Sequence, residues 1–369
     1  MNIPFVDLRK QYLSIKEEVD RAIFEVIENT AFIGGKHVEE FERNFEKIYN
    51  IKHCISVANG TDSLYIIMKM LNIGPGDEVI TVANSWISSS ETISQTGARP
   101  VFVDIDPTYY TIDETKIEKF INKNTKAIIP VHIHGQICNM EKIIEIGKKF
   151  NLPVIEDCAQ SHFSEFNGKY AGTFGIAGSF SFYPGKNLGA YGDAGCIITN
   201  DDDLALKCRM FARHGALKKH NHLMEGVNSR MDGLQAAILN VKLNYIHSWT
   251  NSRIEKAQLY NEFLKNINGI VIPQIRENSK HTFHLYVIRT KLRDELMSFL
   301  KHWGIECAIH YPLALPNMPA YKYLDYNEAD FPVSSLYQKQ ILSLPIYPEI
   351  SSDQIKFISE KISIFFKDN

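Results

Sequence analysis

The chain has 369 residues and a formal net charge of −3, and 22% of its residues are charged. This near-neutral balance, without a long basic run, argues against nucleic-acid binding, which depends on phosphate neutralisation by Lys and Arg. No apolar stretch reaches the roughly 18 residues that a membrane span needs, and residues 1–20 contain no apolar signal core. We therefore expect a cytoplasmic protein whose six cysteines stay reduced.

The first half of the chain alternates short apolar runs with amphipathic stretches. The apolar runs predict strands at 53–58, 77–83, 99–106, 125–132 and 152–158. The stretches 61–71 and 139–150 between them predict helices. Strands that alternate with helices at this spacing indicate βαβ units and a parallel sheet. Several runs are apolar throughout, which is expected when helices cover both faces of the sheet.

The second half has a different pattern. Residues 195–200 predict a strand, 203–215 a helix closed by Gly215, and about 231–266 a long helix. The remaining predicted elements are strands at 270–273, 284–289 and 305–312 and helices at 293–304 and 353–366. The fold class is therefore α/β: a large domain with a mostly parallel sheet flanked by helices, and a smaller C-terminal α+β domain. We predict that the large domain, with its N-terminal helices, covers residues 1–245, and that residues 246–369 hold the long helix and the small domain.

The segment VANGTDSL (57–64) joins a predicted strand to a helix through Gly60 and Thr61. Free backbone N–H groups and the positive end of the helix at such a junction suit a phosphate. An ordinary N-capped helix explains the same residues. No GxGxxG opens the helix, so a dinucleotide fingerprint is absent.

The segment IEDCAQSH (155–162) places Asp157 at the end of an apolar strand, where open α/β sheets bind their ligands. A carboxylate there can hold the protonated nitrogen of a pyridine-type cofactor and keep the ring electron-withdrawing. The alternative is an Asp that caps the next helix.

The segment GSFSFYPGKNLGAYGDAG (178–195) surrounds Lys186 with glycines. A lysine in a tight glycine-rich turn is poorly explained as a solvated surface charge. When such a lysine is buried, its pKa falls and it becomes an amine nucleophile. Ser181, five residues earlier, is close enough to bind a phosphate of the same ligand. The segment GVNSRMDGLQAA (226–237) adds Asn228 and Arg230 just before a helix, although a simple helix start also explains it.

The four segments together resemble the DegT-type sugar aminotransferases, which have the aspartate-aminotransferase fold (PLP fold type I). The resemblance runs from IPFVDLRKQY (3–12) to LSLPIYPEIS (342–351). It implies the cofactor pyridoxal 5'-phosphate (PLP), an amino donor such as L-glutamate, a nucleotide-linked keto-sugar as acceptor, and a homodimer with shared active sites.

The resemblance also implies residue roles. Lys186 matches the PLP-binding lysine and Asp157 the partner of the pyridine nitrogen; both are the predicted catalytic residues. The remaining predicted cofactor contacts are Gln160 at the ring hydroxyl, Trp86 stacked on the ring, Gly60, Thr61 and Ser181 at the phosphate, and Asn228 at the phosphate from the other subunit. The predicted substrate contacts are Tyr183, His310 and Tyr311 at the sugar, and Lys219 and Arg230 at a carboxylate or diphosphate.

The chain departs from the family at His134, where a Tyr often precedes the glycine. His132 and His134 share a predicted strand face, but no third ligand is apparent, so we predict no metal site.

The segment around Lys186 is similar to the branch that aminates the sugar 3-position, which implies a dTDP-linked 3-keto-6-deoxyhexose. A 4-keto or UDP-linked sugar is the alternative substrate. Related dehydratases carry His in place of the lysine, which disfavours a dehydratase here. A non-catalytic PLP- or sugar-binding regulator is the alternative from another class.

Overall fold

The computed structural model describes residues 2–368. Within residues 2–368, nine strands precede residue 200: β1 (His53–Val57), β2 (Glu78–Val82), β3 (Arg99–Val103), β4 (Thr125–Ile129), β5 (Ile155–Asp157), β6 (Glu165–Phe166), β7 (Lys169–Tyr170), β8 (Ala177–Ser181) and β9 (Gly195–Thr199). All of them except the short β6 and β7 belong to the central sheet. Their order is β3-β2-β4-β5-β8-β9-β1, because parallel bridges from Ile128 to Val154 and from Val131 to Asp157 join β4 to β5. Among the seven strands of this sheet in residues 2–368, only β9 runs antiparallel to its neighbours, so the prediction of a mostly parallel sheet is confirmed.

The helices of this part are α1 (Leu8–Ser14), α2 (Lys16–Glu28), α3 (Lys36–Tyr49), α4 (Gly60–Met70), α5 (Ser88–Thr96), α6 (Glu114–Ile117), α7 (Met140–Phe150), α8 (Asp202–Phe211) and α9 (Gly233–Leu243). The strands are apolar on both sides because each face meets helices. In β9, Cys196 and Ile198 join the buried cluster that contains Phe41 and Phe45 of α3. Ile197, between them, joins the opposite cluster with residues of α4 and α8.

The remaining elements are the hairpin β10 (Ala216–Lys218) and β11 (Asn221–His222), then α10 (Ile246–Leu264), β12 (Ser279–Lys280), β13 (Tyr286–Arg289), α11 (Arg293–His302), α12 (Pro332–Tyr337), β14 (Ile341–Leu344) and α13 (Ser352–Asp368). Short 3-10 helices span Glu118–Phe120, Ile133–Gly135, Leu315–Asn317, Pro319–Leu324 and Glu328–Asp330. Strands β13 and β14 pair antiparallel, and helices α10, α11 and α13 supply about half of their buried cluster, which also includes Ile3. The predicted domain boundary, which divides residues 1–245 from residues 246–369, stays a prediction.

Several predicted boundaries were wrong. The helix expected over 203–215 ends at Phe211, because Arg213 already pairs with Asn228. The helix expected over 231–266 is two helices that meet at residues 244–245. The strands expected at 270–273 and 305–312 contain only isolated bridges. Within residues 2–368, no helix has the length and apolarity of a membrane span; the cytoplasmic location stays a prediction.

Candidate active site

Lys186 lies in a tight loop directly after strand β8. Its backbone N–H donates to the carbonyl of Tyr183 at 2.8 Å, and the N–H of Ala190 donates to the carbonyl of Phe182 at 2.8 Å, so the loop closes on itself. Within the described part of the chain, no hydrogen bond or ion pair involves its Nζ. Burial lowers the pKa of Lys186 to about 8, and the carboxylate of Asp157 acts in the opposite direction. At this pKa about a tenth of the Lys186 side chain is uncharged at pH 7, and the uncharged amine is the nucleophilic form.

Asp157 is the last residue of β5 and is 5% exposed. Its Oδ2 accepts a hydrogen bond from the hydroxyl of Ser89 at 2.8 Å, and its Oδ1 accepts from the N–H of Ala159 at 3.1 Å. No helix follows directly, so the alternative of an Asp that caps the next helix is wrong. The carboxylate is therefore fixed in orientation at the edge of the sheet where Lys186 also lies.

Gln160 connects the sheet edge to the C-terminal part of the chain. Its Oε1 accepts from the N–H of His134 at 2.7 Å, and its Nε2 donates to the Tyr311 hydroxyl at 2.9 Å. The ring of Tyr311 lies 5.7 Å from that of Trp86, centroid to centroid. Trp86 is 58% exposed, so one indole face is available to a ligand. Gln160, Tyr311 and Trp86 thus form one wall of the site.

His310 precedes Tyr311, and the peptide bond between them is cis. Its ring stacks on Phe5 with 5.6 Å between centroids, and its Nδ1 lies 2.8 Å from the Ser343 hydroxyl. Burial, with a further contribution from the charge of Lys186, lowers the pKa of His310 to about 4. The imidazole is therefore uncharged at neutral pH and can donate or accept a hydrogen bond.

The predicted phosphate residues lie side by side. Asn59 caps α4 by accepting from the N–H of Asp62 at 2.7 Å, so the helix start is N-capped, as the simpler interpretation held. Gly60 approaches the end of β8 so closely that a Cβ there would lie 2.7 Å from the Cβ of Ser181. Thr61 shares a hydrogen bond of 2.7 Å with another hydroxyl, that of Ser88. Backbone N–H groups, two hydroxyls and a helix N-terminus thus converge, which suits an anion.

The remaining predicted residues lie further out. Tyr183 is 59% exposed on the lysine loop. Asn228 and Lys219 are exposed, with Lys219 at the turn of the β10-β11 hairpin. Arg230 is partly buried, and its Nε has no hydrogen-bond partner among residues 2–368. Next to Asn228, Ser229 accepts from the N–H of Ala58 at 3.1 Å, which places this segment near the start of α4. The structure does not join these four side chains to Lys186, and their roles stay predictions.

Three side chains at the site were missed at the sequence level. Ser89 orients Asp157; the serine run after Trp86 was its signal. His162 is fully buried, and neither ring nitrogen makes a hydrogen bond of normal geometry within residues 2–368. Burial together with Lys186 lowers its pKa to about 3, opposed by the nearby backbone of Ser181. His284 lies 3.3 Å from the side chain of Asn187, Nδ1 to Oδ1, and burial, then Lys186, lowers its pKa well below the usual value. The surroundings of Lys186 thus contain uncharged histidines.

The two histidines considered for a metal contact different groups. His134 bonds to the carbonyl of His310, whereas His132 lies 2.9 Å from Glu156, Nε2 to Oε2, with Cys158 also close. The N–H of Cys138 donates to Nδ1 of His132, so Nε2 carries the proton and donates to Glu156. The Glu156 carboxylate also accepts three backbone N–H groups, from Gly172, Phe174 and Gly175. Because these atoms are already hydrogen-bonded, we assign the cluster a structural role.

The residues present fit PLP. Among residues 2–368 the Lys186 amine has no hydrogen-bond partner, and the buried Asp157 carboxylate, which Ser89 orients, is close enough to act on its pKa. The Gly60–Ser181 contact leaves room for backbone but not for a side chain. A nucleophilic lysine and a carboxylate at the carboxyl edge of a parallel sheet, next to a helix N-terminus, define a PLP-dependent enzyme of fold type I.

Comparison with known proteins gives the family. The family model of the DegT/DnrJ/EryC1/StrS aminotransferases matches residues 13–363. A "Pleiotropic regulatory protein" of Geobacillus stearothermophilus is 43% identical over 369 residues, 100% of this chain and 99% of the relative. A dTDP-3-amino-3,6-dideoxy-alpha-D-galactopyranose transaminase of Aneurinibacillus thermoaerophilus is 43% identical over 361 residues, 98% and 99% of the two chains. The crystal structure of DesV from S. venezuelae, 35% identical, superposes with a TM-score of 0.97 over 99% of each chain.

The chain belongs to the DegT/DnrJ/EryC1/StrS aminotransferase family. One similar solved structure, ntda from Bacillus subtilis, 29% identical, contains the bound cofactor PMP. The protein is therefore an aminotransferase with PLP as its cofactor, as the sequence motifs predicted.

Proposed function

We propose that the enzyme transfers the amino group of L-glutamate to the ketone of a nucleotide-linked sugar. The substrate is a dTDP-3-keto-6-deoxyhexose and the product a dTDP-3-amino-3,6-dideoxyhexose. The observation that carries the proposal is the unpartnered Lys186 amine, with its pKa lowered to about 8, near the carboxylate of Asp157. The transaminase of A. thermoaerophilus, whose name specifies a 3-amino-3,6-dideoxy sugar, supports the substrate class.

PLP, when bound, supplies an electron sink for the substrate carbon that loses its proton. In this proposal, Lys186 holds the cofactor covalently and then carries the proton with its Nζ. Asp157 keeps a proton on the pyridine nitrogen, and the amide of Gln160 orients the ring hydroxyl. Because one amine near the reacting carbon can both accept and return the proton, no second general base is required. The other proposed cofactor contacts are Trp86 at the ring and Gly60, Thr61 and Ser181 at the phosphate.

The proposed sugar contacts lie on the outer side of this arrangement. Tyr183 is exposed three residues before Lys186, so its phenol is available to orient the sugar ring and present C3 rather than C4. A misplacement of about 1 Å costs roughly a hundredfold in rate, so ring orientation is sufficient to select one ketone. We assign His310 and Tyr311 to sugar hydroxyls, and Lys219 and Arg230 to a carboxylate or diphosphate.

The test offers dTDP-3-keto- and dTDP-4-keto-6-deoxyhexoses, and their UDP counterparts, with glutamate. We expect 2-oxoglutarate release with the dTDP-3-keto sugar and an amine at C3 by NMR, and turnover lower by several orders of magnitude in Lys186→Ala. Turnover of the 4-keto compound alone would contradict the substrate assignment. The regulator alternative has one observation in its favour, the name of the G. stearothermophilus relative. Absence of glutamate-dependent turnover with every sugar would favour it.

We further propose a homodimer with shared active sites, in which Asn228 of one subunit binds the cofactor phosphate of the other. The exposure of Asn228 near the start of α4 supports this arrangement. Co-expressed Lys186→Ala and Asn228→Ala chains should form mixed dimers with one intact site and recover part of the activity. If the mixture is no more active than either parent, the sites are not shared.

A further inference from the structure

A second buried lysine supports the loop that carries Lys186. Lys242, on α9, is 1% exposed. Its Nζ donates a hydrogen bond to the carbonyl of Gly189 at 2.6 Å and lies 4.3 Å from the ring centroid of Tyr191. Within residues 2–368, no carboxylate forms an ion pair with it. A buried ammonium group without an ion pair is costly, so a lysine at this position needs an explanation other than packing.

The carbonyl that Lys242 holds lies at the closing end of the lysine loop. Gly189 packs so tightly that a Cβ there would lie 2.3 Å from the carbonyl oxygen of Pro184 and 2.9 Å from that of Tyr183. The latter carbonyl also accepts the N–H of Lys186. A displacement of Gly189 is therefore transmitted directly to the turn from which the Lys186 side chain projects.

A second side chain of α9 holds the next part of the loop. The Oε1 of Gln235 accepts from the N–H of Tyr191 at 2.9 Å, and its amide packs against Gly192. Gln235 and Lys242 are seven residues apart, two helical turns, and so lie on the same face of α9. This helix therefore fixes the loop at two successive points, one of them with a charge.

We propose that Lys242 is a positioning residue for Lys186: its ammonium group fixes the Gly189 carbonyl and thereby aims the cofactor lysine. The proposal rests on the proposed role of Lys186. Charge on Lys242 matters because hydrogen bonds to an ionised donor are stronger than neutral ones. Burial lowers the pKa of Lys242 to about 8, opposed by the charge of Glu349, so the group is mostly protonated at neutral pH.

The experiment compares Lys242→Met with wild type, both as PLP-loaded full-length enzyme. The substitution keeps the approximate shape of the side chain but removes the hydrogen bond. Hydrogen exchange by mass spectrometry should show the amides of Lys186 and Ala190 exchanging about tenfold faster. PLP should be lost about tenfold faster on dialysis. The pH at which the visible absorbance of the bound cofactor changes should also shift.

The matched control is Ile288→Ala, which leaves a cavity in the C-terminal cluster and does not touch the loop. It should lower the melting temperature without selective exchange at the lysine loop. Unchanged exchange and PLP retention in Lys242→Met, or faster exchange across the whole chain as in the control, overturns the proposal. If Lys242→Met does not fold, Lys242→Gln and Gln235→Leu test the two contacts separately. Hydrogen exchange of the lysine loop at the wild-type rate in both variants also overturns the proposal. Borohydride labelling of a lysine other than Lys186 in wild type would instead refute the proposed role of Lys186.

Discussion

At the scale of single residues, the contact between Gly60 and Ser181 restricts the phosphate corner, the proposed phosphate site formed by Gly60, Thr61 and Ser181. Gly60→Ala would place a Cβ 2.7 Å from the Cβ of Ser181, so one backbone segment must move. We expect a loss of about 1–3 kcal/mol in the free energy of unfolding, measured by urea denaturation, and weaker PLP retention on dialysis. Gly74→Ala is the control, because its Cβ would meet only the Thr96 carbonyl oxygen at 3.7 Å. Equal PLP retention in both variants would contradict the assignment.

Residues whose position depends on their own segment could be predicted from the sequence. The placement of Lys186 in a glycine-rich turn and of Asp157 at a strand end could be predicted because both are local features, and their roles stay predictions. Ser89 and His284 were not, because their contacts with Asp157 and Asn187 join segments that are far apart in the chain. Such contacts depend on how strands are ordered in the sheet, which no local pattern specifies.

At the scale of elements, the segment after β7 depends on one carboxylate. Glu156 is fully buried and accepts hydrogen bonds from three backbone N–H groups, those of Gly172, Phe174 and Gly175, and from Nε2 of His132. Glu156→Gln replaces one acceptor oxygen with an NH2 group that faces donors and leaves them unsatisfied, so we expect a loss of about 3 kcal/mol in the free energy of unfolding. The exposed Glu145→Gln is the control. A metal chelator should leave the unfolding midpoint of the wild type unchanged; a fall would reinstate the metal interpretation.

The elements predicted best are the strands before residue 160, because helices cover both faces and each strand reads as an apolar run. The break between α9 and α10 was missed, since neither Gly nor Pro occurs at residues 244–245. The apolar segment 305–312 was wrongly predicted as a strand: it meets Ile3 and Ser343 only through single bridges. An apolar run does not reveal whether a partner strand continues beside it.

At the scale of the whole molecule, buried uncharged histidines make stability depend on pH. The folded-state pKa of His162 is about 3, below its ordinary value of 6.5, so the unfolded chain takes up the proton first as the pH falls. The contribution of the uncharged His162 to the free energy of unfolding is complete above about pH 6.5 and is lost as the pH falls towards 3. About 2 kcal/mol of it is lost between pH 7 and pH 5.

His162→Phe isolates this contribution. Neither ring nitrogen makes a hydrogen bond of normal geometry in residues 2–368, and the ring packs beside Phe180 and Phe182, so stability at pH 7 should be equal or higher. The difference in unfolding free energy between pH 7 and pH 5, from urea titrations, should shrink by about 2 kcal/mol. His302→Asn, at an exposed position, is the control, and it should keep the wild-type difference in unfolding free energy between pH 7 and pH 5. An unchanged difference in His162→Phe would show that the imidazole accepts a proton in the folded state.

The position of β9 has a consequence for synthesis of the chain on the ribosome. Strand β1, residues 53–57, has β9, residues 195–199, as its neighbour in the sheet, and Gly195 packs against Asn59 at the start of α4. Strand β1 therefore has no hydrogen-bonding neighbour in the sheet until the ribosome has released the chain as far as Thr199. Pairing across so long a separation is slow, and an exposed strand edge promotes aggregation in the interval. Because Gly60 follows β1 and Ser181 ends β8, the phosphate corner and the lysine loop become complete in the same late step.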